Sequence, residues 1–342
     1  MSKKLLGFVT ATAVIFYVLS RMQISVSTGS VSAPQKTSES ANSMSLEFRE
    51  ITLPYLRERT YESKLGNLEK YSENTQYTSY LTSYNSDGLK INGLITVPST
   101  GSPPWPAIIF IHGYIPPASY KTTANYNSYV DYLAKNGFVV FKIDLRGHAK
   151  SEGVASGAYY SGDYIIDTLN ARAALFGADF VDQAKIGLWG HSMAGNIVFR
   201  SLVALQDIRA VVIWAGAVYS YEDMQKYRIS DNSYQPPPQE SERRKKREEL
   251  RNTHGDFNPT SDFWYQVVPT NYLAGVGGAV QIHHAVDDGV VNIGYSRDLM
   301  EILDDTKISH ELFEYPSGGH NLTGLSFTTA MQRTVEFFKE NL

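Results

Sequence analysis

The run Ile186-Gly187-Leu188-Trp189-Gly190-His191-Ser192-Met193-Ala194-Gly195-Asn196-Ile197-Val198 decides the fold of this 342-residue chain. A short apolar segment ends at Trp189, and a helix-like segment runs from Asn196 to Leu205. Between them lies a sharp turn with Ser192 at its apex. A strand that bends directly into a helix strains the backbone at the bend, so the residues two places to either side must be small. Gly190 and Ala194 meet that demand, although Ala194 carries a methyl where a second glycine is usual, and Gly195 follows one place later. Ser192 is therefore the candidate nucleophile. Glycine and serine are common, so the pattern gains its weight from what precedes and follows it.

Outward from this turn, the pattern is strand, loop, helix, repeated. Apolar strands are expected at Ala107–Ile111, Phe138–Ile143, Ala210–Trp214, Ala279–His283 and His310–Tyr315. Helices are expected at Ser128–Lys135, Tyr164–Phe176, Gly294–Leu303 and Leu325–Lys339. Continuous apolar strands alternating with amphipathic helices describe an α/β fold, a mostly parallel, doubly wound sheet with helices on both faces. Ahead of it, Tyr77–Ser83 and Leu89–Val97 alternate around Asn85-Ser86-Asp87-Gly88, which signals a hairpin. One helix lies near Pro54–Tyr61, while the rest of Leu46–Gln76 gives no pattern. Between Trp214 and Ala279 stand 64 residues where one helix would suffice. This segment, about residues 216–272, is read as a cap over the active-site edge. Its block Arg243-Arg244-Lys245-Lys246-Arg247 is read as a solvated helix face rather than an anion site, held by the i,i+4 pairs Glu242–Lys246 and Arg244–Glu248.

A serine hydroxyl becomes a nucleophile when a base takes its proton and a third group fixes the tautomer of that base. The base should follow the last strand. His320, one of eight histidines, does so behind Gly318 and Gly319, which let its loop fold back. The acid should follow the strand before it. Asp287 is the first choice, Asp288 the main competitor, and Glu222 or Asp223 a weaker third; alternatively Asp287 only shapes a turn. Two backbone N–H groups should face the developing oxyanion. These are assigned to Met193, directly after the nucleophile, and to Tyr114, after the strand ending His112-Gly113. Tyr114 and Trp264 are the candidate substrate-binding residues. His112 is expected to tie down its loop, and Asp144 and Arg146 to buttress the one beside it.

Composition bounds the partners. The chain is 42% hydrophobic and 19% charged with a net charge of −4, and it shows no basic face interleaved with aromatics, so no nucleic-acid partner is expected. It has no cysteine, which removes disulfides, thiol nucleophiles and thiolate metal sites. No metal or organic cofactor is called for by the serine chemistry. At the start, Lys3 and Lys4 precede an uncharged run from Leu5 to Ser20, closed by Arg21. At 1.5 Å per residue that run spans roughly 24 Å, against a bilayer core of about 30 Å. Residues 1–21 are read as an uncleaved membrane anchor, with a cleaved signal peptide as the alternative, and the Ser/Thr-rich residues 22–45 as a tether. Residues 46–342 form the catalytic domain, placed outside the cytoplasm.

Taken together, His112-Gly113, Asp144-Leu145-Arg146-Gly147-His148 with Ser151-Glu152-Gly153, the serine turn, Asp287 with Val290, and Gly319-His320 resemble the α/β-hydrolase superfamily, over roughly Tyr77 to Leu342. Within it the chain is similar to the prolyl-oligopeptidase-like (S9-type) peptidases and related acyl esterases. The resemblance implies a serine hydrolase that cleaves acyl esters or short peptides through an acyl-enzyme. An S9-like exopeptidase is the alternative, and a non-catalytic binding protein on the same fold is the reading from another class. Peptidases of that branch often carry a propeller. The roughly 60 residues between tether and first core strand cannot supply four blades of about 40 residues each, so selectivity is expected from the cap and from Leu46–Gln76.

Overall fold

The computed structural model describes residues 47–230, 238 and 240–342. The proposed anchor at 1–21, the tether at 22–45 and the start of the proline run in the cap lie outside these residues. Nine strands form one sheet: β1 (Glu69–Glu73), β2 (Tyr77–Ser86), β3 (Leu89–Pro98), β4 (Trp105–Ile111), β5 (Val139–Ile143), β6 (Val181–His191), β7 (Ala210–Trp214), β8 (Ala279–Ala285) and β9 (His310–Tyr315). Their order is β1-β2-β3-β5-β4-β6-β7-β8-β9. The first three strands and the β3–β5 pairing are antiparallel, and every pairing from β5 to β9 is parallel.

The hairpin signal falls where Ser86 pairs with Leu89 across Asp87 and Gly88, both at positive φ (52° and 83°). That is the backbone twist a two-residue hairpin turn needs, and it favours Asp-Gly. In the segment Leu46–Gln76 the helix expected near Pro54–Tyr61 is α1 (Leu53–Glu58), and the part without a pattern supplies the edge strand β1. All five residues of β1 are exposed, which is why no apolar alternation marked it.

The other helices are α2 (Asn127–Lys135), α3 (Asp163–Phe176), α4 (Met193–Ala204), α5 (Glu222–Tyr227), α6 (Glu242–His254), α7 (Asp262–Val267), α8 (Gly294–Asp304) and α9 (Leu325–Asn341). On one face of the sheet, α2 and α9 enclose a core with Phe110, Val140, Trp189 and Trp214. On the other, α3, α4 and α8 pack over Ile109, Phe141, Leu188 and Ile213. Successive residues of one strand thus feed both cores, so the parallel strands read as unbroken apolar runs. Burying both faces fixes the register. Ile111 of β4 pairs with Gly190 of β6, and Ala285 of β8 with Tyr315 of β9, so the carboxyl ends of these strands open on one edge. Ligand sites in such sheets lie beyond that edge. The 64-residue segment between β7 and β8 carries α5, α6 and α7.

Candidate active site

Ser192 sits between β6 and α4 with φ 57° and ψ −120°, a conformation non-glycine residues rarely adopt. Its neighbours explain the departure from the usual glycine pattern. A Cβ on Gly190 would lie 2.7 Å from the Ala194 carbonyl, so Gly190 must be bare. Ala194 is fully buried with its methyl accommodated, whereas a Cβ on Gly195 would come within 2.6 Å of the Gly216 Cα. The close approach of α4 to the next loop occurs at 195, and that is where the second glycine stands.

His320 follows β9 in a short 3₁₀ turn, Gly319–Asn321. Its Nδ1 lies 2.8 Å from Asp288 Oδ2. The sequence preference for Asp287 as the partner is corrected here. Asp287 is exposed and accepts from the backbone N–H groups of Gly319 (2.8 Å) and Gly318 (3.3 Å), so it shapes the turn that carries the histidine. Asp288 turns inward, with 1% of its side chain exposed. Its Oδ1 accepts from the amides of Val290 (2.8 Å) and Val291 (3.0 Å), and its Oδ2 also receives His284 Nε2 at 3.2 Å. Burial alone would raise the Asp288 carboxyl. Hydrogen bonds from His284 and His320, the nearby imidazole charge and the Val291 amide outweigh burial and hold it below the usual carboxylate range. Asp288 is thus ionised, and the His320 proton sits on Nδ1, leaving the Nε2 lone pair free.

His191, inside the turn, has no role legible in the sequence, yet it joins the two loops that frame the serine. Burial, aided by the neighbouring His320, lowers its pKa to about 3, so it is neutral and carries one N–H. Its Nε2 lies 2.8 Å from the His320 carbonyl, which can only accept, so Nε2 bears the hydrogen. Nδ1 must then accept from the Tyr126 hydroxyl at 2.7 Å, and that oxygen in turn accepts from the Gly113 amide at 2.9 Å. The chain Gly113–Tyr126–His191–His320 ties the loop after β4 to the histidine loop. A Cβ on Gly113 would strike the Tyr126 hydroxyl at 2.8 Å, so glycine there makes room for this chain. The histidine at 191 and the glycine at 113 were visible in the sequence; the tyrosine 65 residues before His191 was not connectable to them.

His112 bonds the carbonyls of Gly113 (2.7 Å) and Asp144 (3.2 Å), holding its loop as expected. Asp144 accepts from Tyr120 and Thr122, and Arg146 binds Asp167 and Asp163, so both support loops rather than reach the serine. Asp223, the weaker candidate acid, accepts from the amides of Tyr219 and Ser220.

A cavity of about 640 Å³ opens beside the serine. Ser192, Met193 and Tyr114 form part of its wall. The Met193 amide is the first of α4 and has no carbonyl one turn before it in the helix. Trp264, expected against substrate, is 1% exposed and packs in the core against Tyr221, Phe257 and Phe263. Its large apolar ring is absorbed by the anchoring of the inserted segment. The opposite happens to the basic block: Arg243, Arg244, Lys246 and Arg247 on α6 line the cavity. Of the two expected helix pairs, Arg244–Glu248 forms at 2.9 Å, while Glu242 pairs with Lys245 and Lys246 reaches Glu50. Among the described residues no cluster of His, Asp or Glu could hold a metal ion, and no helix is long and apolar enough to cross a membrane.

This sheet order, with a strained serine after the sixth strand in space and a histidine after the last, defines an α/β-hydrolase. The family described as BAAT / Acyl-CoA thioester hydrolase C terminal matches residues 170–342, half of the chain, and the chain belongs to it. A second family, described as Serine aminopeptidase, S33, matches residues 102–236. The protein is a hydrolase. Among solved structures, acetyl xylan esterase 1 from a Thermoanaerobacterium species is 19% identical with a TM-score of 0.58, over 83% of this chain and 90% of that one. An acetyl xylan esterase from a Paenibacillus species is 14% identical with a TM-score of 0.61, over 85% and 92%. Acylaminoacyl peptidase from Pyrococcus horikoshii is 19% identical with a TM-score of 0.58, but this chain spans only 42% of it.

Proposed function

We propose that this protein is a serine esterase that works through an acyl-enzyme, with Ser192 as nucleophile, His320 as base and Asp288 as the acid that orients it. The observation that carries the reading is the 2.8 Å contact from His320 Nδ1 to the buried Asp288, on the loop next to a strained serine. Ser192 Oγ attacks the acyl carbonyl while His320 Nε2 takes its proton. The amides of Met193 and Tyr114 stabilise the oxyanion. His320 then returns the proton to the departing alcohol, and water releases the acyl group by the same path. The Ser192 hydroxyl makes no hydrogen bond among the described residues, and in such enzymes the serine–histidine contact often tightens only with substrate bound.

Ester rather than amide cleavage is favoured by the extent of the likeness. The chain spans nine-tenths of two acetyl xylan esterases and less than half of the peptidase named above. Turnover of p-nitrophenyl acyl esters against aminoacyl p-nitroanilides tests this, with Ser192→Ala as control. Esters should be cleaved and the Ser192→Ala variant should stay at background. Faster anilide cleavage would transfer the protein to the peptidases, and an active Ser192→Ala variant would end the serine mechanism. The reading also places the enzyme outside the cytoplasm, on the strength of Lys3, Lys4 and the uncharged run Leu5–Ser20. Recovery of the full chain in the cytosolic fraction of the expressing cell would overturn that placement.

A further inference from the structure

The cavity beside Ser192 has an electrostatic character opposite to that of the protein. The whole chain carries a net charge of −4, yet this cavity is walled by Arg228, Arg243, Arg244, Lys246, Arg247 and Arg251 against the single carboxylate of Glu248. Three of the cations are neutralised: Arg244 by Glu248, Lys246 by Glu50 and Arg251 by Asp256. Among the described residues, Arg228, Arg243 and Arg247 have no carboxylate within ion-pair distance. Like charges gathered without counter-charges repel, and a bound anion relieves the repulsion.

These three are also held in place. Arg243 and Arg247 stand four residues apart on α6 and so share one face of it. Arg247 stacks 4.3 Å over the Tyr160 ring. Arg243 lies against Gly157, where a Cβ would approach its Nη2 to 3.0 Å and where φ is +85°. Arg228 adopts φ 58° and ψ 177°, a region of backbone space left almost wholly to glycine. It is kept there by Tyr295, whose hydroxyl donates to the Arg228 carbonyl at 3.1 Å, and by the Ile229–Val291 bridge to the loop that carries Asp288. On the same wall the Ser156 hydroxyl is buried without a hydrogen-bond partner among the described residues. A strained arginine, two arginines unpaired among the described residues and a buried hydroxyl around one cavity suit an anionic oxygen group.

The cavity also has a side. Its wall contains Ser192, Met193 and Tyr114 but not His320. A leaving group must lie at the imidazole that protonates it. The part of the substrate that enters the cavity is therefore the acyl arm. Resting on the serine-esterase reading, we propose that the enzyme selects acyl groups that end in an anion, a carboxylate or a phosphate-like group, held by Arg228, Arg243 and Arg247.

The test compares 4-nitrophenyl esters of adipic, suberic and sebacic acid, left with one free carboxylate, with the same chains ending in a primary amide. A parallel series ends in a phosphonate. At the length that fits, at least one anionic series should exceed its neutral isostere by about tenfold or more in kcat/KM, mainly through KM. The preference should shrink as salt rises. It should collapse in Arg243→Gln and in Arg247→Gln, and persist in Lys245→Gln, a residue on the same helix outside the cavity wall. The ratio of the two substrates on one variant is independent of how much enzyme is folded. Whether carboxylate or phosphonate leads identifies the anion. Equal turnover of anionic and neutral chains at every length would overturn this inference and leave the esterase intact. No turnover of either would remove the esterase reading, and this one with it.

Discussion

Asparagine at 288 and asparagine at 287 should have very different consequences, although the two positions are adjacent in sequence. Four donors converge on the Asp288 carboxylate: two amides on Oδ1 and two imidazole N–H groups on Oδ2. An asparagine there keeps one carbonyl, which can serve only one of these pairs. If it serves the amides, its NH₂ confronts the N–H groups of His320 and His284, donor against donor. The His320 ring is then driven to the other tautomer, with its proton on Nε2 and no lone pair facing the serine. Loss of a correctly oriented base costs about a thousand- to ten-thousandfold in kcat, or about 4–5.5 kcal/mol of barrier. At Asp287 the group is exposed and accepts two backbone bonds, one of them 3.3 Å long. An asparagine carbonyl retains the shorter one, so Asp287→Asn should lose less than about 1 kcal/mol in loop stability and less than about fivefold in kcat. Steady-state kinetics on a p-nitrophenyl ester, with urea melts to establish that both variants fold, measure the difference. If Asp287→Asn is the more damaged enzyme, or if Asp288→Asn stays within tenfold of the parent, the assignment of the acid is wrong.

Three further outcomes are expected. Tyr126→Phe removes an acceptor from the Gly113 amide and a donor from His191 Nδ1, so it should lower stability by about 1–3 kcal/mol and kcat by roughly tenfold; an unchanged kcat would mean that the bridge between the two loops carries no positional information. Asp288 is held below the ordinary carboxylate range, so its ionised contacts stabilise the fold above about pH 4 and are lost as pH falls through the depressed value. The stability gap between the parent and Asp288→Asn should therefore narrow on acidification below that point, and a gap constant from neutrality to pH 2.5 would contradict it. Gly195→Ala, which forces a methyl to 2.6 Å from Gly216, should destabilise by about 1–3 kcal/mol, whereas Ala194→Gly should cost about 0.5–1 kcal/mol in helix propensity and leave kcat nearly unchanged; thermal melts that reverse this order would refute the packing account of the turn.

Much of this architecture was legible because the parallel strands are buried on both faces and the serine turn imposes small residues at fixed spacing. The acid was not legible at the level of one residue. Asp287 and Asp288 stand together and are followed by Val290 and Val291, so the motif reads equally well in either register. Only the inward turn of the backbone after Ala285 separates the exposed carboxylate from the buried one. Trp264 misled because an aromatic in an inserted segment can line a cavity or anchor the segment, and its burial is set by contacts with Tyr221 and Phe257 that sequence distance conceals. The basic block is largely exposed, as expected, and what sequence did not show is that part of it also lines the cavity. Its charge pattern fits a solvated helix, and α6 is pinned by the single buried Leu250, whose position turns Arg243 and Arg247 toward the serine.

The most direct test of the central claim is intact-mass and peptide mapping after treatment with a fluorophosphonate. One adduct per chain is expected, on the peptide containing Ser192, absent from Ser192→Ala and strongly slowed in both His320→Ala and Asp288→Asn. A folded protein that takes up no label, or that is labelled at another residue, would contradict it.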